Sequence, residues 1–296
     1  MTVIVIGQAA RDVVLRTDGI PESGGSTRLL EYRTVLGGKG ANQAVGLAQL
    51  GVPVALVAVL GSDRAGDEGV TQLREDGVEP RAVARRGTTA VLLDLVDQPG
   101  SRRLFEQIPS SALLSEADVA AARDVLETPG LDTVSLQLQQ PAEALLAGAR
   151  WGRDAGALVV ADGAPPPEAR RALLKLVQVL RVDATEAGML AGEPVESVAQ
   201  ADGLGRQLLG EGPELVAIAV PGVGDLLVWP DGSHLLEFGD ARVVDRTGAG
   251  DAFVAGLIAG MRHGDEPVAA GRLAAAAASS TVQRPGGRPD LRSLAG

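Results

Sequence analysis

The stretch Val243–Gly260, VVDRTGAGDAFVAGLIAG, concentrates the residues best suited to chemistry. A short strand is expected to end at Asp245, glycines follow at 248 and 250, and a helix pattern opens at Asp251 with Phe253, Leu257 and Ile258 on its apolar side. Glycines let a backbone turn tightly so that successive amides point one way, and a helix start adds about half a positive charge. Together they form a cradle for an anion. Asp251 sits at its mouth, where a carboxylate can take a proton from an attacking hydroxyl while amides hold charge developing on a phosphoryl group. The same spacing also suits an ordinary helix start in which Asp251 caps free amides. Residue types alone leave both readings open. The stretch is neither a Walker loop, since the chain holds no G-x-x-x-x-G-K-[ST], nor a dinucleotide fingerprint.

A second stretch, LGGKGANQAVGLAQLG, runs from Leu36 to Gly51. Gly37, Gly38 and Gly40 can bring backbone close to a ligand, while Lys39 and Asn42 supply polar contacts at the start of a helix over Ala41 to Leu50. By itself this is a common pattern.

These stretches need elements to hold them. Continuous Val/Ile/Leu runs at Val3 to Ile6, Val54 to Leu60, Val134 to Leu138, Leu158 to Val160, Val177 to Val182 and Leu215 to Val220 read as strands covered on both faces. Between them lie helical patterns at Ala41 to Leu50, Glu116 to Leu126, Ala142 to Asp154, Val198 to Leu209 and Ala252 to Met261. The alternation predicts an α/β, doubly wound, mostly parallel sheet with helices on both faces. Two segments, at roughly 12–35 and 88–108, read instead as short strands joined by turns, the second around Pro99-Gly100. They are expected to form a small β-ribbon lid over the crevice at the carboxyl ends of the parallel strands. Edge strands of the main sheet are the alternative. The alanine run Ala274 to Ala278 reads as a tightly packed helix, and the pairs Arg85-Arg86 and Arg102-Arg103 as solvated charge.

Composition narrows the chemistry further. With 296 residues, no Cys and two His, the chain has no disulfide framework, thiolate zinc site or Cys nucleophile. A cysteine-free chain suits a reducing, cytoplasmic setting. The net charge of −11, from 27 Lys+Arg against 38 Asp+Glu, argues against a nucleic-acid partner. No run approaches the ~18 apolar residues of a membrane span. Two Trp, one Tyr and three Phe leave little aromatic surface for stacking, so a bound sugar or base must be held mostly by polar and aliphatic groups.

The two glycine-rich stretches together, GGKGANQAV and D-x-T-G-A-G-D-A-F, resemble the paired signatures of the PfkB family of carbohydrate kinases, the first being similar to its ribokinase branch. The likeness continues along the chain in GQAARD at Gly7 to Asp12, LQLQQP at Leu136 to Pro141, ADGAP at Ala161 to Pro165, DATEAGMLAG at Asp183 to Gly192 and AVPGVGDLLV. The resemblance implies one α/β domain over residues 1–296 with a ribokinase-like fold and lid. It implies transfer of the ATP γ-phosphoryl group to a sugar hydroxyl, with Asp251 as base and the segment Thr247, Gly248, Ala249 and Gly250 as anion hole. Asp12, Gly38, Lys39, Asn42 and Gln139 match sugar-side positions. Asp183, Gly222, Gly224, Thr247 and Gly250 match nucleotide-side ones. Glu186 matches the residue that organises magnesium through water, and Asp245, Thr247, Thr281, Arg284, Gly286 and Asp290 match a site for a monovalent cation such as potassium. A homodimer joined through the exposed lid edges is expected.

Several positions depart from that pattern. Ala10 replaces an Asn, Gln139 a Glu, Asp183 and Asp162 each an Asn, Ala219 and Pro221 stand at a Thr and a Gly, Asp290 stands where Ser is usual, and Ala274 lies where a polar residue often reaches the adenine. A lost hydrogen bond to a buried hydroxyl costs about 1 to 3 kcal/mol, enough to change sugar preference. Ribose is the default substrate. The altered anchors also leave open a catalytically weak sugar- or nucleotide-binding protein of this fold, and a kinase for a nucleoside or sugar phosphate.

Overall fold

The computed structural model describes residues 2–97, 102–126, 130–284 and 286–295. Its main sheet orders the strands Gly232–Glu237, Gly224–Trp229, Leu215–Val220, Val179–Val182, Leu158–Asp162, Leu131–Gln137, Thr2–Ile6, Val54–Leu60 and Val78–Glu79, with Val83–Arg85 also pairing with Val54–Leu60. The pairs from Leu215–Val220 inward are parallel, and the hairpin through Gly224–Trp229 and Gly232–Glu237 adds an antiparallel edge.

Alternation along one strand shows why the sheet needs helices on both sides. Val3 and Val5 enter one apolar cluster, Ile4 and Ile6 the other, and all four are fully buried. Helices Glu116–Leu126, Ala142–Asp154 and Val198–Leu209 cover the second face. Lys39–Gln49, Ala249–Arg262 and Pro267–Thr281 cover the first. The helix at the anion cradle therefore rests on the sheet along most of its length, with residues 251–260 buried.

Strands Ala10–Thr17, Leu29–Gly37, Val91–Val96 and Arg102–Gln107 form a separate four-stranded sheet rather than edges of the main one. The turn around Pro99-Gly100 lies outside the described residues. Period-two alternation turns Asp12, Leu92, Asp94, Arg102, Leu104 and Glu106 to one face and Tyr32, Leu93 and Phe105 to the other. The first face looks into the cleft. The second leaves Tyr32 and Phe105 well exposed.

Three local expectations change. No strand ends at Asp245: the amides of Val244 and Asp245 both donate to the Val282 carbonyl, and the chain bends at Val244 without joining a ladder. The helix that follows opens two residues earlier than expected, at Ala249. Arg85 and Arg86 are staples rather than solvated charges, Arg85 holding the Gly61 carbonyl and Arg86 gripping Asp118 with both terminal nitrogens. Arg102 and Arg103 are likewise paired, with Asp94 and Asp97. Among the described residues no helix is long and apolar enough to cross a membrane.

The alanine run packs as expected, because it faces small residues. A Cβ on Gly256 would meet the Ala274 Cα at 2.7 Å and the Leu273 carbonyl oxygen at 2.8 Å, so the two helices touch backbone to backbone. Gly256→Val should therefore force them apart and cost about 1–3 kcal/mol, the scale of core overpacking. Thermal melts should show the loss, whereas an unchanged midpoint would mean that the helix pair is looser than the coordinates show.

Candidate active site

Gly248 turns into the helix at φ 75°, and a Cβ there would lie 2.0 Å from the Gly287 carbonyl oxygen. Only glycine combines that left-handed turn with so close an approach. No side chain caps the helix start. Asp251, in its first turn, spends its carboxylate elsewhere: Oδ2 accepts from Asn42 Nδ2 at 3.0 Å. The capping alternative for Asp251 thus fails; the Ala249 amide turns back to the Arg246 carbonyl, and the other first-turn amides stay open to an anion.

Asn42 arrives from the helix Lys39–Gln49, whose start is likewise a left-handed glycine, Gly38 at φ 89°. Lys39 Nζ lies 3.3 Å from Glu186 Oε1. Burial opposes the Lys39 charge, yet Asp162, Glu186 and Asp251 more than offset it and raise its pKa. Glu186 and Asp183 form a capping box on the helix Ala184–Ala191. Glu186 is accordingly both a structural cap and a partner of Lys39.

Two cavities open beside this turn. The first, about 400 Å³, is walled by Leu236, Phe238, Val243, Phe253, Ala275 and Ala278, an apolar slot of a size for a planar base. The second, about 730 Å³, holds Asp12, Gly38, Lys39, Asn42, Gln139, Asp183, Gly222, the segment Thr247 to Asp251, and the inner face of the lid. Most of the expected sugar-side and phosphate-side residues are brought together in it.

The remaining candidates lie outside both cavities. Gly224 begins a strand, where a Cβ would strike the Leu236 carbonyl oxygen at 2.1 Å; its role is to let two strands meet. Ala274 faces Gly256 and not the slot, because the helical period presents Ala275, Ala278 and Ser279 there instead. Asp245 has both oxygens engaged, Oδ1 by the amide and hydroxyl of Thr247 and Oδ2 by the Gly286 amide. These bonds outweigh burial and hold its carboxyl below the usual range. Asp290 pairs with Arg284, and the Thr281 hydroxyl donates to the Ala277 carbonyl. Asp245 therefore stays ionised within a net of neutral donors, and Asp290 is paired with Arg284.

Sequence reasoning missed two residues. Arg181 is a charge inside a run read as a continuous apolar strand; it is buried, with Nη1 3.2 Å from Asp162 Oδ1. Asp162 also accepts from Gln43 Nε2, whose own oxygen accepts from Ser135, so a buried polar chain underlies the site. Phe238 is the second, an exposed ring on the wall of the apolar slot.

The electrostatics single out two acids. Burial, reinforced by Asp162 and opposed by Lys39, the Asn42 bond and Arg181, raises the Asp251 pKa to about 7. Burial, Asp94 and Asp251 raise that of Asp12 to about 7 against Arg102, and its Oδ1 has no hydrogen-bond partner. A carboxyl poised near neutrality beside open helix amides can remove a hydroxyl proton while an anion is held within reach. Among the described residues no group of three His, Cys, Asp or Glu is placed to hold a metal ion on side chains alone.

Comparison with known proteins agrees with this geometry. The model of the pfkB family carbohydrate kinases matches residues 2–294. A ribokinase of Schizosaccharomyces pombe is 29% identical over 308 residues, covering 99% of this chain and 96% of that protein. A bifunctional ribokinase/ribose-5-phosphate isomerase A of Fructilactobacillus sanfranciscensis is 27% identical over 98% of this chain, which spans 54% of its length. The structure of Arabidopsis thaliana ribokinase complexed with ribose and ATP superposes with a TM-score of 0.82 at 26% identity, over 99% of this chain and 96% of that one.

The buried acid has a consequence for stability. Folded Asp251 keeps its proton to about pH 7, whereas the unfolded group loses it near 3.8, so its contribution favours folding in acid and is lost as pH rises towards 7. Asp251→Asn removes that dependence. The variant should melt higher than the native protein at pH 8 by roughly a few kcal/mol, with the gap closing towards pH 4. Parallel melting curves across that range would show that Asp251 titrates normally.

Proposed function

This chain belongs to the pfkB family of carbohydrate kinases, and on that premise we propose that it transfers the γ-phosphoryl group of ATP to a hydroxyl of a small free sugar, with ribose as the default acceptor. The observation that carries the reading is the buried Asp251 carboxyl, held by Asn42 beside an uncapped helix start in the cavity that also contains Asp12.

The adenine occupies the apolar slot against Phe238 and Phe253, held chiefly by aliphatic wall. The sugar lies under the lid, its hydroxyls ordered by Asp12, Lys39, Asn42, Gln139 and the backbone at Gly38. Asp251 takes the proton as the hydroxyl oxygen bonds to the γ-phosphorus, the bond to the β-phosphate oxygen breaks, and ADP leaves. The amides of Gly248 and Gly250 hold the charge that develops on the transferred group, since those of Thr247 and Ala249 are engaged by Asp245 and the Arg246 carbonyl. Positioning supplies most of the rate, since phosphoryl transfer asks little covalent chemistry of the protein. Closure of the lid over Leu92 and Leu104 excludes water that would otherwise compete as acceptor.

Magnesium, when bound, would neutralise and orient the phosphate oxygens. Asp183, on the cavity wall, and Glu186 behind it suit a hard cation that keeps several waters, Glu186 acting through water. Any potassium beside the anion hole would be held by loop carbonyls and side-chain oxygens, with the ionised Asp245 carboxylate supplying negative charge there.

On the lid face Asp12 and Glu106 favour hydroxyl donors over a sugar phosphate, since the one arginine there, Arg102, is already paired with Asp94. The intact base and anion hole favour an active enzyme over a binding protein. A homodimer forms through the lid, a second copy covering Tyr32 and Phe105. A cytoplasmic location belongs to the same reading and rests on the cysteine-free sequence.

A coupled ADP-release assay over free sugars, sugar phosphates and nucleosides tests the reading. Turnover should be confined to one or a few free sugars and fall about 100- to 10,000-fold in Asp251→Asn. Full activity in that variant would remove Asp251 as base, and ligand-induced stabilisation without turnover would favour a binding protein. Phe105→Glu should convert the dimer to a monomer by light scattering at micromolar concentration. A native monomer would contradict lid pairing.

A further inference from the structure

The two cavities are not separate sites. They share Arg181, Phe238, Arg246 and the segment Ala249-Gly250, so a ligand with an apolar end in one and a reacting end beside Asp251 in the other must pass across that line. The shared boundary carries two guanidinium groups and no carboxylate.

The two arginines differ in how they are held. Arg181 is 8% exposed and tied to Asp162, and a Cβ on Gly250 would sit 2.5 Å from its Nη1. Its guanidinium is therefore packed directly against the glycine turn. Its Nε has no hydrogen-bond partner, so the pair with Asp162 leaves donor capacity unspent. An isolated buried guanidinium would be prohibitive, and burial is tolerated here because Asp162 and Asp225 offset it. Arg246 is exposed, and among the described residues its side chain makes no hydrogen bond or ion pair. One cation is fixed against the turn and the other, which lines the same two cavities, is exposed and uncommitted among the described residues.

Asp183 stands on the same cavity wall and would repel an incoming polyphosphate. We propose that Arg181 and Arg246, both on the boundary shared by the two cavities, clamp the phosphate chain of the nucleotide beside the Gly248–Gly250 turn, Arg181 as a pre-set cation and Arg246 as one that orders on binding. The inference rests on the kinase reading, since it takes a nucleotide polyphosphate as the ligand. It adds two side-chain cations to the amides of the glycine turn, one of them, Arg181, from a strand outside both glycine-rich stretches. Guanidinium suits this task because its planar fork matches phosphate oxygens in pairs.

Calorimetric titration of the native full-length chain with ADP and with adenosine, in parallel with the variants Arg246→Met and Asp162→Asn/Arg181→Met, tests the clamp. The double variant removes Arg181 together with its hydrogen-bonded partner, and its melting curve checks that the fold tolerates the loss of the cation near Asp225. Each variant should weaken ADP about ten- to a hundredfold, the range of a lost charge-assisted hydrogen bond, and leave adenosine within about twofold of native. Arg246→Lys should recover part of the loss. ADP affinity within about twofold of native in both variants would overturn the clamp while the kinase reading stood. Equal losses for ADP and adenosine would overturn it too, assigning the arginines to the shape of the slot. A native chain that bound neither nucleotide and phosphorylated no sugar would overturn the underlying reading as well.

Discussion

A carboxyl kept dry beside the open end of a helix is the constraint on which the rest of the structure depends. Asp251 would be more stable in water, and the fold keeps it buried by surrounding it with the Asn42 amide, the Lys39 ammonium and the Arg181 guanidinium. Each of those groups needs its own support. Lys39 leans on Glu186, Arg181 on Asp162, and Asp162 on Gln43. The buried polar chain beneath the site is the cost of holding one acid near neutrality, and it explains why the middle of an otherwise apolar sheet carries charge.

The same constraint shapes the elements. The helix bearing Asp251 must start at a fixed point, so its glycine face is pressed against the alanine-rich helix and its start is locked to the Gly287 backbone. The helix bearing Asn42 begins where Gly38 turns into it and lies on the same face of the sheet. The lid completes the enclosure with one polar face turned inward and one apolar face left uncovered. Rigid sheet, locked helix starts and a separate small sheet divide the work between precision and access.

Much of this was legible in sequence where the signal is local. Glycine spacing around Lys39 and Asp251 marked both helix starts, and uninterrupted Val/Ile/Leu runs marked the strands, because these features depend on neighbours along the chain. Arg181 was invisible for the opposite reason: its partner Asp162 is on the adjacent strand, and only tertiary pairing makes a charge in an apolar run intelligible. Phe238 read as one scattered aromatic until folding placed it on the slot. Ala274 and Gly224 matched motif positions, yet packing against Gly256 and the Leu236 backbone decides their roles. Motif position indicated the neighbourhood, and the direction of each side chain came from the fold.

The low aromatic count and the lack of Cys take on a different meaning in the folded chain. A base can be held by alanines and one or two rings, and phosphoryl transfer through amides, arginines and a single acid requires no thiol. The most direct test is the pH dependence of kcat/KM for the preferred sugar. If Asp251 is the base poised by its surroundings, the rate should climb about tenfold per pH unit in acid and level off near its pKa of about 7. A profile flat from about pH 5 to 9 would contradict the account, because the buried carboxyl would then play no part in the step that limits the reaction.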